Sequence, residues 1–281
     1  MPNSKIKISF NIDAWTANSL GLSQPDEWKE WAASGNWPQD GKVNVADVPA
    51  MMRRRMSPLS KLAVQTAIEL LKQHQVDYLV FSSRHGELHR SVALVADIIS
   101  GEEASPMAFS QSVHNTAAGL ATIATKQPIP LTSIAASENT FQSAILEAWL
   151  FLADNPDKKV LLVDFDEPLP ESYTEFEQQQ YPGFGLGLVL SNGDDFTLRS
   201  SHSVETQGHL LPQGLAFCST TCQTKLSGPS MPHSNLGNGA NNESLKSVLA
   251  RARHGFLFFG IWFGWFSAEL YRDSNYSYFC L

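Results

Sequence analysis

Glu138 stands where a short apolar run that starts at Thr132 passes into an amphipathic helix. The first turn of such a helix presents backbone N–H groups without intrahelical acceptors and the positive end of the helix dipole. A cysteine placed there would be activated as a nucleophile, because this environment stabilises a thiolate or an oxyanion. The residue present is a glutamate, and its neighbours Ser137 and Asn139 are candidates for the same pocket or interface.

Two interpretations of Glu138 follow from its position. It could act as a general base, which would make the chain an independent decarboxylase or hydrolase with a closed pocket around this carboxylate. It could instead only interact with the helix dipole, an effect of about 0.3–1 kcal/mol. No histidine or lysine that could share the chemistry is evident near it, and this favours the second interpretation.

Other residue types suited to chemistry are sparse. His85 and His89 flank Gly86 and Glu87, but no third ligand follows at a suitable spacing, so we expect no metal site. The three cysteines, at positions 218, 222 and 280, are too few for a disulfide framework, and we expect ordinary reduced thiols.

The elements that must position Glu138 alternate between strand and helix. This alternation predicts a layered α/β fold. A Trp-rich stretch through Trp15, Trp28, Trp31 and Trp37 reads as irregular. Ser57 and Pro58 begin the first long helix. The predicted strands are 6–12, 78–82, 159–165 and 181–190, and the predicted helices are 59–71, 89–99, 113–125 and 141–152.

Composition limits the classes of function. The 281 residues carry 20 basic and 28 acidic side chains, and the net charge of -8 argues against nucleic acid or anionic lipid as a partner. The pattern at residues 5–8 is typical of a strand and not of a signal peptide, so we expect no signal peptide and a cytoplasmic location. The apolar stretch 255–266 is too short to span a membrane as a helix, which needs about 20 residues. We divide the chain into a domain over 1–195, an irregular linker over 196–244, and a helix with an apolar aromatic tail over 245–281.

Several motifs, in order along the chain, resemble the β-ketoacyl synthases of the thiolase-like superfamily. They are MRRRMSPLSKLAVQTA from Met52, VFSSRHGELHRS from Val80, SVHNTAAG from Ser112, the run through Glu138 that ends in AILEA, and YPGFGLGLVLS from Tyr181. The resemblance runs from about residue 6 to about residue 191 and implies the N-terminal half of the thiolase-like α-β-α fold, followed by a divergent extension. When the helix is aligned on Ala148, the family's nucleophilic cysteine falls on Glu138.

The departures from the family pattern suggest a function. The chain has no cysteine before residue 218, it is expected to end before a second half is complete, and its later histidines do not stand in the family's motifs. The resemblance therefore implies no condensation by this chain alone and no cofactor. It is closest to the chain-length factors, in the short form associated with aryl polyene clusters. Such a protein pairs with a catalytic ketosynthase and acts on chains held by an acyl carrier protein. A purely structural subunit is the remaining alternative.

Two further groups of residues gain roles from this resemblance. His114 and Asn115 lie in a helix of small residues, where they could reach the partner's active site or where the histidine could be a satisfied core residue. Arg53, Arg54 and Arg55 could contact the acidic surface of a carrier protein, or they could form a solvated face.

Overall fold

A computed structural model describes residues 7–199 and 211–224 of the chain. These residues form a five-stranded mixed sheet in the order β1-β5-β4-β2-β3, with helices on both faces. The strands are β1 Lys7–Ser19, β2 Tyr78–Ser82, β3 Leu131–Ile134, β4 Lys159–Asp166 and β5 Phe184–Arg199. The helices are α1 Pro25–Ser34, α2 Ala50–Arg53, α3 Pro58–Leu71, α4 Leu88–Ile99, α5 Pro106–Ser110, α6 Thr116–Thr125, α7 Thr140–Asp154 and α8 Gln213–Thr224.

Three neighbouring strands, β4, β2 and the edge strand β3, run parallel and end at the same side of the sheet. Val80 of β2 is in register with Thr132 of β3 on one side and with Leu162 of β4 on the other. β5 and β1 then continue the sheet in antiparallel orientation. Because the carboxyl ends of β2, β3 and β4 meet, the residues that follow these strands are brought together.

A helical layer covers each face of the sheet. On one face, α3 and α6 pack closely because alanines line their contact, among them Ala63, Ala67, Ala117 and Ala121. On the other face, α7, α8 and α1 cover the sheet with larger side chains, which include Phe141, Ile145, Leu215 and Trp28. The predicted layered α/β fold is confirmed.

The predicted start of α3 at Ser57 and Pro58 is confirmed. The Oγ of Ser57 accepts a hydrogen bond from the backbone N of Ser60 at 2.8 Å, and Pro58 occupies the first helical position, where no N–H is needed. The prediction of an irregular Trp-rich stretch is wrong for Trp15, which lies in β1, and for Trp28 and Trp31, which lie in α1. β1 extends this far because β5 pairs with it as far as Ser19.

The predicted linker over 196–244 is wrong in its described part. β5 continues to Arg199, and residues 213–224 form α8, whose Leu215 and Cys218 are buried in the core. The helix forms there because packing against α1 and α7 outweighs its polar, weakly helical composition. The helix predicted within residues 245–281 and the apolar stretch 255–266 lie outside the described residues. The division of the chain into domains therefore stays a prediction. Within the described residues, no helix is long and apolar enough to cross a membrane.

Candidate functional site

The junction between β3 and α7 is a tight 3-10 turn over Ser137–Asn139. Ser137 adopts a left-handed conformation with φ 52°, which is uncommon for a residue with a side chain. Thr140 stabilises the turn, because its Oγ1 accepts from the N of Ala136 at 2.9 Å and donates to the O of Ser137 at 2.7 Å. The turn therefore presents Glu138 directly before the first turn of α7, as the sequence predicted.

The Glu138 carboxylate is exposed to solvent, and the cationic side chain of Arg84 lies near it. The Glu138 side chain is 65% exposed, and its Oε1 lies 3.8 Å from Nη2 of Arg84, whose side chain is 24% exposed. An exposed pair at this distance contributes little to stability. The exposure of Glu138 also means that no closed pocket surrounds its carboxylate among the described residues.

Asp166, at the end of β4, fixes the position of Arg84. Its carboxylate accepts from the Oγ of Ser83 at 2.8 Å, from the N of Arg84 at 2.8 Å and from the N of His85 at 3.3 Å. Burial raises the pKa of Asp166 to about 6, although these hydrogen bonds and the charge of Arg84 oppose the shift. The loop after β2 is thus held by a carboxylate from the neighbouring strand.

A second carboxyl group, Asp164, is enclosed in the core two residues earlier. The Oγ of Ser82 donates to its Oδ1 at 2.6 Å, and burial raises the pKa of Asp164 to about 8. Gly214 of α8 packs against it so closely that a Cβ there would lie 2.1 Å from Oδ2. Asp164 is therefore largely protonated at pH 7. Neither aspartate stands out as a site residue in the sequence, because both lie in a strand that is otherwise apolar. The one available signal is that two carboxylates occur at the end of such a strand.

His114 contacts the same loop from the other side. Its Nε2 donates to the carbonyl O of Ser83 at 2.8 Å. Its ring also lies against Gly86, where φ is 55° and a Cβ would come within 2.9 Å of the histidine Cδ2. His114 is half-buried and satisfied by this bond, whereas Asn115 is exposed at the start of α6. Glu138 and His114 therefore contact the same loop after β2. Glu138 does so through Arg84, and His114 through Ser83 and Gly86.

The three arginines lie at the end of α2 and in the turn that follows. Nη1 of Arg53 donates to the carbonyl O of Val45 at 2.9 Å, while Arg54 and Arg55 are exposed. The carbonyl O of Arg55 accepts from Nη2 of Arg90 at 2.8 Å, which joins this turn to α4. A solvated basic surface and a docking site both fit this arrangement.

The histidines and cysteines that the structure describes form no cluster of ligands. Nε2 of His89 donates to the carbonyl O of Pro168 at 2.9 Å. Burial lowers the pKa of His85, and the charge of Arg84 adds to this effect. Cys218 and Cys222 are free and buried side by side on α8. Among the described residues, no three histidine, cysteine, aspartate or glutamate side chains are placed to hold a metal ion.

The comparison with known proteins agrees with this fold. A family model described as the N-terminal domain of beta-ketoacyl synthase matches residues 28–230. The chain therefore belongs to the β-ketoacyl synthase family and has its thiolase-like fold. No curated protein matches the chain in sequence.

Among solved structures, a chain from the complex of the ketosynthase ApeO with its chain length factor ApeC, from Xenorhabdus doucetiae, is 33% identical. That match covers 78% of this chain and 93% of the other, with a TM-score of 0.70. The ishigamide ketosynthase/chain length factor matches at 17% identity, over 66% of this chain and 61% of that one, with a TM-score of 0.52. A β-ketoacyl synthase from Burkholderia phymatum STM815 matches at 15% identity, over 67% and 59%, with a TM-score of 0.51. At these lower identities, the last two support the fold alone.

Proposed function

We propose that this chain is the chain-length factor of a two-subunit ketosynthase. In this proposal it pairs with a catalytic β-ketoacyl synthase in the cytoplasm and helps to extend an acyl chain held by an acyl carrier protein. The observation that carries the proposal is Glu138, which stands at the strand-to-helix junction where the family resemblance places the nucleophilic cysteine.

A glutamate at this position changes what the chain can do. A condensing enzyme must first receive the acyl chain on a thiolate, and a carboxylate forms no thioester that could serve as this intermediate. The described cysteines, Cys218 and Cys222, cannot replace that thiolate because both are buried within α8. The exposure of Glu138 and its pairing with Arg84 also favour a role beside a partner's site over independent hydrolysis or decarboxylation.

The most similar of the structures described above supports the pairing. It is a complex of a ketosynthase with its chain length factor, and the match covers most of both chains. In this proposal the partner is a ketosynthase, and the products are aryl polyene or related polyketide or fatty acyl chains.

The docking of the carrier protein is a finer part of the proposal. Arg54 and Arg55 are exposed on a chain whose net charge is -8, so they form a local basic surface on an acidic protein. Such a surface would attract an acidic carrier protein mainly by accelerating association.

Co-expression with the ketosynthase encoded nearest to this chain tests the function. Size-exclusion chromatography with mass determination reports the complex, and elongation of malonyl-loaded carrier protein reports activity, with each subunit alone as a control. We expect a one-to-one complex and long products from the complex only. A monomeric chain and a ketosynthase that elongates fully without it would refute the proposal.

Substitution at the junction separates a chain-length factor from a purely structural subunit. We expect Glu138→Ala to keep the complex and to change the amount or the length distribution of the products, because the side chain lies at the junction but is mostly exposed. Unchanged products, measured by mass spectrometry of the released acyl chains, would favour the structural subunit.

A further inference from the structure

Helix α8 carries the two described cysteines as a pair. Cys218 and Cys222 are four residues apart, so their side chains lie on the same face of the helix, one turn from each other. Their sulfur atoms are 3.8 Å apart, close enough for a hydrogen bond between the two thiols. Because a disulfide holds its sulfur atoms at about 2.0 Å, a small movement would join them.

The surroundings of the pair are apolar. Cys218 is 1% exposed and Cys222 is 2% exposed, and they belong to the core cluster that includes Trp28, Leu215 and Phe217. In the part of the chain that the structure describes, no third cysteine, histidine or carboxylate is placed to complete a metal site with them. The pair is therefore suited to reaction of the two thiols with each other.

The two thiols differ in how readily they ionise. The hydrogen bond from Cys218 lowers the pKa of Cys222, and the positive charge of Lys29 on α1 adds to this effect, whereas burial opposes it. The same hydrogen bond, together with burial, raises the pKa of Cys218. Because the thiolate is the form that attacks an oxidant, Cys222 would supply the nucleophile and Cys218 the thiol that closes the bond.

A disulfide between these two positions does not fit a regular helix. Residues four apart in an α-helix have Cβ atoms about 5–6 Å apart, whereas the Cβ atoms of a disulfide are about 3.5–4.5 Å apart. α8 ends at Thr224, only two residues after Cys222. Its last turn can therefore rearrange with the smallest loss of helical hydrogen bonds, and closing the disulfide would unwind this turn.

The sequence of the last turn also allows an oxidant to reach the buried thiols. Ser219, Thr220 and Thr221 are weak helix formers. The hydroxyl of Thr221 donates to the carbonyl O of Phe217 at 2.8 Å, a bond that slightly destabilises a helix. Local opening at such a helix end requires much less free energy than unfolding of the whole domain, so the thiols become accessible without it.

We infer that Cys218 and Cys222 form a redox-sensitive dithiol, which a peroxide closes to a disulfide that unwinds the end of α8. The thiolate of Cys222 attacks one oxygen of hydrogen peroxide, the O–O bond breaks, and a sulfenic acid and a hydroxide form. The hydroxide takes up the proton that Cys222 has lost and becomes water. The sulfur of Cys218 then attacks the sulfenic sulfur and forms the S–S bond, and its proton leaves with the departing hydroxide as a second water. The two thiols lose two electrons, and the peroxide gains them.

This inference goes beyond the proposed function and does not depend on it. Its consequence concerns the helical layer formed by α1, α7 and α8. α8 packs against both other helices, so unwinding its end removes part of the cover on this face of the sheet. The closed loop is only a few residues long and constrains the unfolded chain little, so the disulfide should lower the stability of the protein, the opposite of the usual effect.

Oxidation of the full-length chain tests both parts of the inference. Cys280→Ser leaves Cys218 and Cys222 as the only thiols, since the chain has three cysteines. After treatment with hydrogen peroxide, we expect peptide mass spectrometry to find a Cys218–Cys222 link with a loss of about 2 Da. We expect the midpoint of urea unfolding to fall by about 0.5–1 M and to return after reduction with dithiothreitol. The matched control is Cys222→Ser in the same background, whose midpoint peroxide should leave unchanged.

The possible results are distinct. Peroxide that leaves both thiols free, or that oxidises Cys222 without linking it to Cys218, would overturn the inference. A Cys218–Cys222 disulfide with an unchanged or higher midpoint would show that α8 accommodates the bond, and the inferred unwinding would be wrong. The wild-type chain should form the same link, and a disulfide that joins Cys280 to either cysteine instead would overturn the pairing.

Discussion

The pKa of the buried carboxyl group of Asp164 is raised, whereas a folded protein usually lowers the pKa of an aspartate. We therefore expect that removing the charge at this position stabilises the protein. In the folded chain this carboxyl group is enclosed by Ser82 and Gly214, and burial raises its pKa from 3.8 to about 8. Folding at pH 7 must therefore supply a proton to this group. Asp164→Asn imitates the neutral form with nearly the same shape, so we expect the variant to be more stable than the wild type.

The magnitude follows from the linkage between pKa and stability. Each unit of pKa difference corresponds to about 1.36 kcal/mol, so protonating a group of usual pKa 3.8 at pH 7 costs at most about 4 kcal/mol. We expect a gain of about 2–4 kcal/mol in the free energy of unfolding for Asp164→Asn at pH 7. Because the folded pKa is raised, the contribution of Asp164 to stability is fully present below about pH 4 and is lost as the pH rises to about 8.

Urea unfolding of the wild type and the variant between pH 5 and pH 9 measures this difference. Asp47→Asn is the matched control, because a hydrogen bond from Lys72 lowers the pKa of Asp47 and that variant should lose stability at pH 7. The reasoning is refuted if Asp164→Asn is less stable than the wild type at pH 7. It is also refuted if the difference between the two does not grow with pH from 5 to 8.

The glycines provide further predictions, all measured by urea unfolding. Gly86→Ala should cost about 1–3 kcal/mol, because φ is 55° and the new Cβ would contact the ring of His114; an unchanged midpoint would contradict this. Gly214→Ala should cost about 1–3 kcal/mol, because its Cβ would displace α8 from the carboxylate of Asp164, and full stability would show that α8 is not packed there. In contrast, Gly119→Ala should stabilise α6 by about 0.5–1 kcal/mol, because nothing lies within 4 Å of its Cβ position; a loss would mean that α6 is packed differently.

The parts of the fold that could be predicted from the sequence are those with local causes. α3 has a capping serine and a proline at its start, and β4 begins with the apolar run over 160–163. The Trp-rich composition predicts irregular structure over α1, although Pro25 and Glu27 mark the first turn of this helix. α8 was missed because only packing between α1 and α7 makes its polar sequence helical.

The candidate site was predictable only at Glu138. Its position before a helix is a local property, but the approach of Arg84 depends on how two parallel strands are aligned. The burial of Asp164 and Asp166 likewise depends on which elements cover the end of β4. The apolar stripe of α4 is evident in the sequence. The spacing of its residues does not show whether this chain or another chain covers them.

The edge strand β3 has a consequence for how a cell must handle this protein. Among the described residues, β3 is an open sheet edge beside exposed apolar helices, and in a chain made without the proposed partner these are the features that chaperones and proteases detect. With only four residues, β3 is a poor template for the growth of aggregates. We therefore expect surplus copies to be degraded rather than deposited, so that proteolysis would keep the amount of this subunit matched to that of its partner.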